Sequence, residues 1–200
     1  MTVNAEQGNT VLRLWLLLPR VGDALAASQD LVFSKYGITT EQWRVLSCIK
    51  SRGPLRPIDL GSMLERSPNS MSMIVDRMVK AGLVRRTRDR KDRRAVFVSM
   101  TDKGREAIGP AVPAGWEFIQ KVVSPLSHDE RHAVVSTLEK IRCELTSYLN
   151  PEMDKAEIIK KSLTTDPGAY KRMVKNLLPP GYDAKRRLDK TKIIRSGRQK

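Results

Sequence analysis

Apolar residues recur at helical spacing along most of this chain, and one short segment switches to alternation. Val11, Leu14, Trp15, Leu18, Leu25, Val32 and Phe33 follow a single helical stripe. Leu12, Leu16 and Leu17 widen it beyond what one core needs, which suggests burial against a second chain. The alternative is a first helix buried only in its own domain. Pro19 is expected to kink this helix or to start a new one within it. Gly37 reads as a stop. Thr39 or Thr40 can cap a second helix carrying Trp43, Leu46 and Ile49, which the Gly53-Pro54 turn ends. Pro57 suits the first turn of a short third helix with Ile58, Leu60, Met63 and Leu64.

The most telling stretch runs from residue 64 to 104. Ser67 is the expected N-cap of a fourth helix and Pro68 its first residue. Met71, Ile74, Val75, Met78 and Val79 give one apolar face at i, i+3, i+4, i+7 and i+8. Asn69, Ser70, Ser72, Met73, Arg77 and Lys80 lie on the other side, and Gly82 closes the helix. Leu83 to Arg88 and Ala95 to Met100 read as strands, with Val96, Val98 and Met100 alternating in the second. Between them stands Asp89-Arg90-Lys91-Asp92-Arg93-Arg94.

Thr101 caps the next helix, which Pro110 and Pro113 should bend or break before it resumes through Trp116, Ile119 and Val123. Ser127-His128-Asp129-Glu130 is a capping box. The helix it opens carries Val134, Leu138, Ile141, Leu145 and Tyr148, a coiled-coil-like seam that fits either a partner subunit or the chain's own core. Residues 151 to 163 can form one more helix. Most of 164 to 200 reads as a flexible polycationic tail.

Charge sharpens this picture. The net charge of +15 favours a polyanionic partner, nucleic acid before membrane. The surplus is eight in residues 151–200 and six in residues 83–105, so the rest is nearly neutral. Two cysteines, Cys48 and Cys143, sit in apolar helical patterns and fit a reducing cytoplasm rather than a disulfide framework. The run Val11 to Leu18 loosely imitates a secretory signal, but Arg13 interrupts it and no Lys or Arg precedes it. No apolar run approaches the ~20 residues of a membrane span.

A helix with an apolar back and a polar front of small side chains suits the major groove of duplex DNA. Its free N–H groups can hold a phosphate. Ser67, Pro68, Asn69, Ser70, Ser72, Met73 and Arg77 are the candidate contacts, with Asn69 suited to adenine and Arg77 to guanine or phosphate. Arg90, Lys91, Arg93 and Arg94 on the hairpin suit the minor groove, whose negative potential attracts guanidinium. Asp92 can orient Arg94 or Arg77. Taken alone, the helix could be an ordinary amphipathic one; helix and basic hairpin in this order point to a winged helix-turn-helix.

That combination resembles the MarR family of bacterial transcription regulators, over roughly residues 10 to 149. The resemblance is strongest from Ile74 to Val84, at Asp89 to Arg94, and from Val98 to Gly104. It implies a mainly α fold with a small β wing. Residues 40–100 would be the DNA-binding lobe, with 10–35 and 102–149 as dimerisation helices. Residues 150–200, a basic C-terminal extension, partly helical or disordered, run past the usual end of the family and either add non-specific DNA affinity or form a solvated terminus. The resemblance also implies a cytoplasmic homodimer on a pseudo-palindromic operator, usually a repressor, often released by a small aromatic effector or by thiol oxidation. Many members carry Thr-Arg where this chain has Ser72-Met73, so base preference should differ here.

Competing readings are an architectural, non-specific nucleic-acid binder driven by wing and tail, and an enzyme. No phosphate loop, nucleophile motif or metal set supports the last, so no catalytic residue, cofactor or metal is expected. His128 and His132 are one turn apart but lack further ligands nearby in sequence. Neither cysteine matches the position expected of a peroxide sensor. Effector-binding residues are not identified, although Trp15, Trp43 and Trp116 could line a pocket between the dimer helices and the DNA-binding lobe, or simply be core.

Overall fold

The structure, a computed structural model, describes residues 5–88, 95–152, 154, 156 and 175. Helix α1 spans Ala5–Phe33 and runs into a short 3-10 turn, Ser34–Tyr36. Then come α2 (Thr40–Arg52), α3 (Pro57–Met63), α4 (Pro68–Lys80), β1 (Val84–Arg88), β2 (Val96–Met100), α5 (Asp102–Val123) and α6 (His128–Leu149). The fold is mainly α with a small antiparallel wing. Residues 157–163, expected as part of a further helix, and the tail to 200 (Lys175 apart) lie outside the described residues, as does the basic segment 89–94.

Local signals start and stop these elements. Gly37 takes a left-handed φ of 68° and ends the 3-10 turn. Thr39 and Gln42 form a reciprocal capping box at α2, and Ser127 and Glu130 do so at α6. Ser67 and Thr101 cap α4 and α5 by accepting from Ser70 and Gly104 N–H groups. Helix α4 ends in a Schellman motif: Gly82, at φ 72°, donates to the Val79 carbonyl (2.9 Å) and Leu83 donates to that of Met78 (3.0 Å).

The prolines start no new helix. Helix α1 passes through Pro19 without a fresh start, and α5 runs unbroken through both Pro110 and Pro113. The missing hydrogen bonds are outweighed in α5 by burial of Ile108, Ala111, Val112 and Gly115 around them. Two apolar positions also depart from expectation. Val79 is 37 % exposed at the edge of the α4 stripe, and Ile58 faces outward from α3.

The core is built where α1, α2 and α5 meet the helix-turn-helix. Phe33 stacks on Trp43 with ring centroids 4.6 Å apart, and a Cβ on Gly115 would meet the Phe33 ring at 3.1 Å. Met71, Val75 and Met78 from α4 join Leu46, Leu60, Val84 and Val98 in one buried cluster. Each such side chain contributes about 1.5–3 kcal/mol by leaving water. In the wing, Val84 pairs with Met100 and Arg88 with Val96. Leu55 bridges to Val98 along the free edge, exchanging N–H···O bonds of 3.2 and 2.8 Å. Among the described residues no helix is long and apolar enough to cross a membrane.

Candidate nucleic-acid interface

Helix α4 separates its two faces cleanly. Met71, Ile74, Val75 and Met78 are buried, whereas Ser67, Pro68, Asn69, Ser70, Ser72, Met73 and Arg77 are all exposed. Met73 is 65 % exposed, a bare thioether among polar neighbours. The Ser67 hydroxyl donates to that of Ser70 at 2.9 Å and accepts the Ser70 N–H at 3.2 Å, so the helix start is stitched by small side chains.

The turn into α4 is held from several sides. Arg66 places two nitrogens on the Glu41 carboxylate at 3.0 and 3.3 Å, which ties the turn to the first turn of α2. Its N–H donates to the Gly61 carbonyl at 2.8 Å. Glu65 adopts φ 52°, a left-handed value that a side chain adopts only when its surroundings impose it. Arg142 of α6 reaches Glu65 at 3.5 Å and Glu139 at 3.1 Å. At the start of α2, Asp30 of α1 accepts from the Thr40 hydroxyl (2.5 Å) and N–H (3.1 Å). Those two bonds hold the Asp30 carboxyl below its ordinary value.

The far end of α4 is joined to the wing and to α5. Arg86 of β1 forms an ion pair with Asp76 of α4. The Thr101 hydroxyl donates to the Gly82 carbonyl at 2.6 Å, and Lys103 Nζ donates to that of Ala81 at 2.9 Å. Gly104 lies against the same turn, with a Cβ there falling 2.2 Å from the Leu83 carbonyl oxygen. Reading the sequence missed Arg86, although it stands two residues after the buried Val84 and so shares the strand face turned toward α4. Arg85 and Arg88 extend the exposed positive charge along β1. Arg90, Lys91, Arg93 and Arg94, together with Asp92, lie outside the described residues.

The sensing candidates are brought together less well. Cys48 is buried and its thiol is pushed up to about 11 by desolvation, the opposite of a reactive thiolate. Cys143 is buried too. The rings of His128 and His132 lie 4.5 Å apart, and among the described residues no third metal ligand joins them. Trp15 is 69 % exposed on α1, far from lining a pocket within this chain. Trp43 and Trp116 are partly buried, and among the described residues their indole N–H groups find no acceptor.

Comparison with known proteins agrees with this geometry. A model of the MarR family matches residues 38–96, from just before α2 to the first residue of β2. The transcriptional regulator MgrA of Staphylococcus aureus is 30 % identical over 110 residues, 55 % of this chain and 74 % of MgrA. FarR, a transcriptional regulator of Neisseria gonorrhoeae, is 30 % identical over 104 residues, 50 % of this chain and 71 % of FarR. The chain belongs to the MarR family. A crystal structure of a MarR mutant from E. coli complexed with operator DNA superimposes with a TM-score of 0.60 at 25 % identity, over 66 % of this chain and 96 % of that one. As a MarR-family protein with a winged helix-turn-helix, this chain is a DNA-binding transcription regulator and not an enzyme.

Proposed function

We propose that this protein is a cytoplasmic homodimer that binds a pseudo-palindromic operator sequence-specifically, represses nearby genes, and is released by a small effector. The observation that carries this reading is the exposed front of α4, backed by buried Met71, Ile74, Val75 and Met78 and tied to the wing through Asp76 and Arg86. In this reading Asn69, Ser70, Ser72, Met73 and Arg77 face base edges in the major groove, with Ser67 and Pro68 placing the helix start against a phosphate. Met73 offers apolar contact to a thymine methyl. Arg90, Lys91, Arg93 and Arg94, in the connection between β1 and β2, enter the minor groove.

The dimer is supported by apolar surface that a single chain leaves uncovered. Val11, Leu12, Leu14, Trp15, Leu17 and Val21 of α1 are exposed, as are Val134, Leu138 and Leu145 of α6. Uncovered apolar surface of this kind is costly in water and supports an interface. In this reading residues 10–35 and 102–149 dimerise and residues 40–100 bind DNA.

Selection of duplexes from a random library by the purified protein tests the proposal. A regulator enriches one inverted-repeat sequence and prefers it by ~10³ or more over random DNA. Enrichment without sequence preference would instead indicate an architectural binder driven by its basic segments. Arg94→Ala should weaken binding and flatten its salt dependence, since log K falls in proportion to the phosphates neutralised.

A further inference from the structure

The first two turns of α6 carry His128 and His132, the only two histidines of the chain. Four positions apart on a helix, they share one face, and both are exposed. Their Nε2 atoms approach to 3.3 Å. Two metal–imidazole bonds of ~2.0–2.1 Å at a tetrahedral angle hold their nitrogens about 3.3–3.4 Å apart. The pair therefore already has the spacing of two ligands on one tetrahedral ion.

The surroundings suit a cation. Asp129 Oδ1 lies 3.4 Å from His128 Nδ1. A proton held on that nitrogen leaves the Nε2 lone pair free, which is how a carboxylate orients a metal-binding histidine. Asp129 and Glu130 place negative charge in the first turn and offset the positive end of the helix. Arg131, the adjacent cation, is engaged elsewhere, its Nε donating to the Val123 carbonyl at 3.2 Å. Two imidazoles are too few for a structural site, which takes four protein ligands, but they suffice for an exchangeable one completed by water. Because the helix holds both, the second metal bond is intramolecular and the pair binds far more tightly than either ring alone.

We propose that His128 and His132 together bind one late first-row divalent cation per chain, such as zinc, through their Nε2 atoms. Imidazole nitrogen selects zinc, copper and nickel over magnesium and calcium, which prefer oxygen ligands. The pair lies on α6, outside the DNA-facing helix, and the site does not rest on the function proposed above.

The test is calorimetric titration of the full-length protein with zinc chloride and, separately, with magnesium chloride. Zinc should bind saturably at one ion per chain, and magnesium should not bind at this site. His128→Gln and His132→Gln should each weaken zinc binding at least about tenfold. Both side chains are exposed, and Ser127 and Glu130 start the helix, so these variants keep the fold. His132→Gln combined with Ala133→His retains two histidines but sets them about 140° apart around the helix, and should bind no better than the single variants. With copper(II) chloride, the EPR spectrum of the parent should show splitting from two imidazole nitrogens, and that of each single variant from one. No saturable zinc binding, binding that survives either single variant, or equal binding by the displaced pair would each overturn the assignment. So would one ion per two chains, because the metal would then be shared between copies.

Discussion

Arg142, on α6, contacts Glu65, 77 residues earlier, in the turn that leads into α4. One guanidinium thus links α6 to the helix-turn-helix. Glu65 is mostly exposed, so the pair itself is worth no more than about 1 kcal/mol. Glu65 also bears a left-handed backbone, which costs a non-glycine residue ~1–2 kcal/mol. Glu65→Gly loses the ion pair and relieves the backbone, and should therefore stay within about 1 kcal/mol of the parent in urea melts. Glu65→Gln loses the pair alone and should be the less stable of the two. A Glu65→Gly protein destabilised well beyond that range would show that the turn depends on more than its backbone and this pair.

Two helical glycines should respond to alanine in opposite directions. A Cβ at Gly104 of α5 would lie 2.2 Å from the Leu83 carbonyl oxygen and 2.8 Å from Met100 Cγ. Backbone must move to admit it, so Gly104→Ala should cost about 3 kcal/mol. A Cβ at Gly22 of α1 would meet nothing within 4 Å. Gly22→Ala should gain about 0.5–1 kcal/mol from helix propensity alone. Thermal melts of the two variants check the contrast.

Acid should weaken the fold. Asp30 is held below its ordinary value by Thr40, Asp59 by Arg56, and Glu130 by the Ser127 N–H. Each is favoured as the carboxylate in the folded state, so its contribution is complete above its unfolded pKa. That contribution fades as pH falls through the folded value. Stability should hold from neutrality to about pH 5 and decline below about pH 4. Asp30→Asn should lower stability at neutral pH and flatten the decline; urea melts from pH 7 to 3 read both effects.

Introducing a charge on the uncovered apolar surface should separate assembly from folding. Leu145 on α6 and Trp15 on α1 are both exposed in the single chain. Trp15→Lys with Leu145→Lys should shift the protein from dimer to monomer in sedimentation while preserving helical content. A monomeric parent protein would remove the basis for the proposed dimer.

Peroxide should leave DNA binding unaffected by way of Cys48. With its thiol pushed up to about 11, only about one molecule in ten thousand carries the thiolate at neutral pH. Cys48→Ser should therefore not change the peroxide response of DNA binding, as measured by anisotropy. A response abolished by that substitution would show that Cys48 becomes exposed in solution.

The local part of this architecture could be read directly from the residues. Ser67-Pro68, Thr101 and the Ser127/Glu130 pair start their helices because a cap needs only neighbours three residues away. The α4 face was legible for the same reason, apart from Val79 at its margin. What escaped depends on distant partners. Pro110 and Pro113 read as bending or breaking α5, and the burial of Ile108 and Val112 keeps it continuous. Arg66 on Glu41 and Arg86 on Asp76 join residues 25 and 10 positions apart, and no periodicity announces such a pair. The small-residue requirement at Gly104 likewise comes from the Leu83 carbonyl packed against it.

The fastenings at the C-terminal end of α4 have a mechanical outcome. With Arg86 on Asp76, Thr101 on Gly82 and Lys103 on Ala81, helix and wing base share one set of bolts. Bending either one alone would break several of them together, so the two travel as a single rigid reading head. If two chains pair as proposed, tilt and separation of the two lobes are then the adjustable quantities.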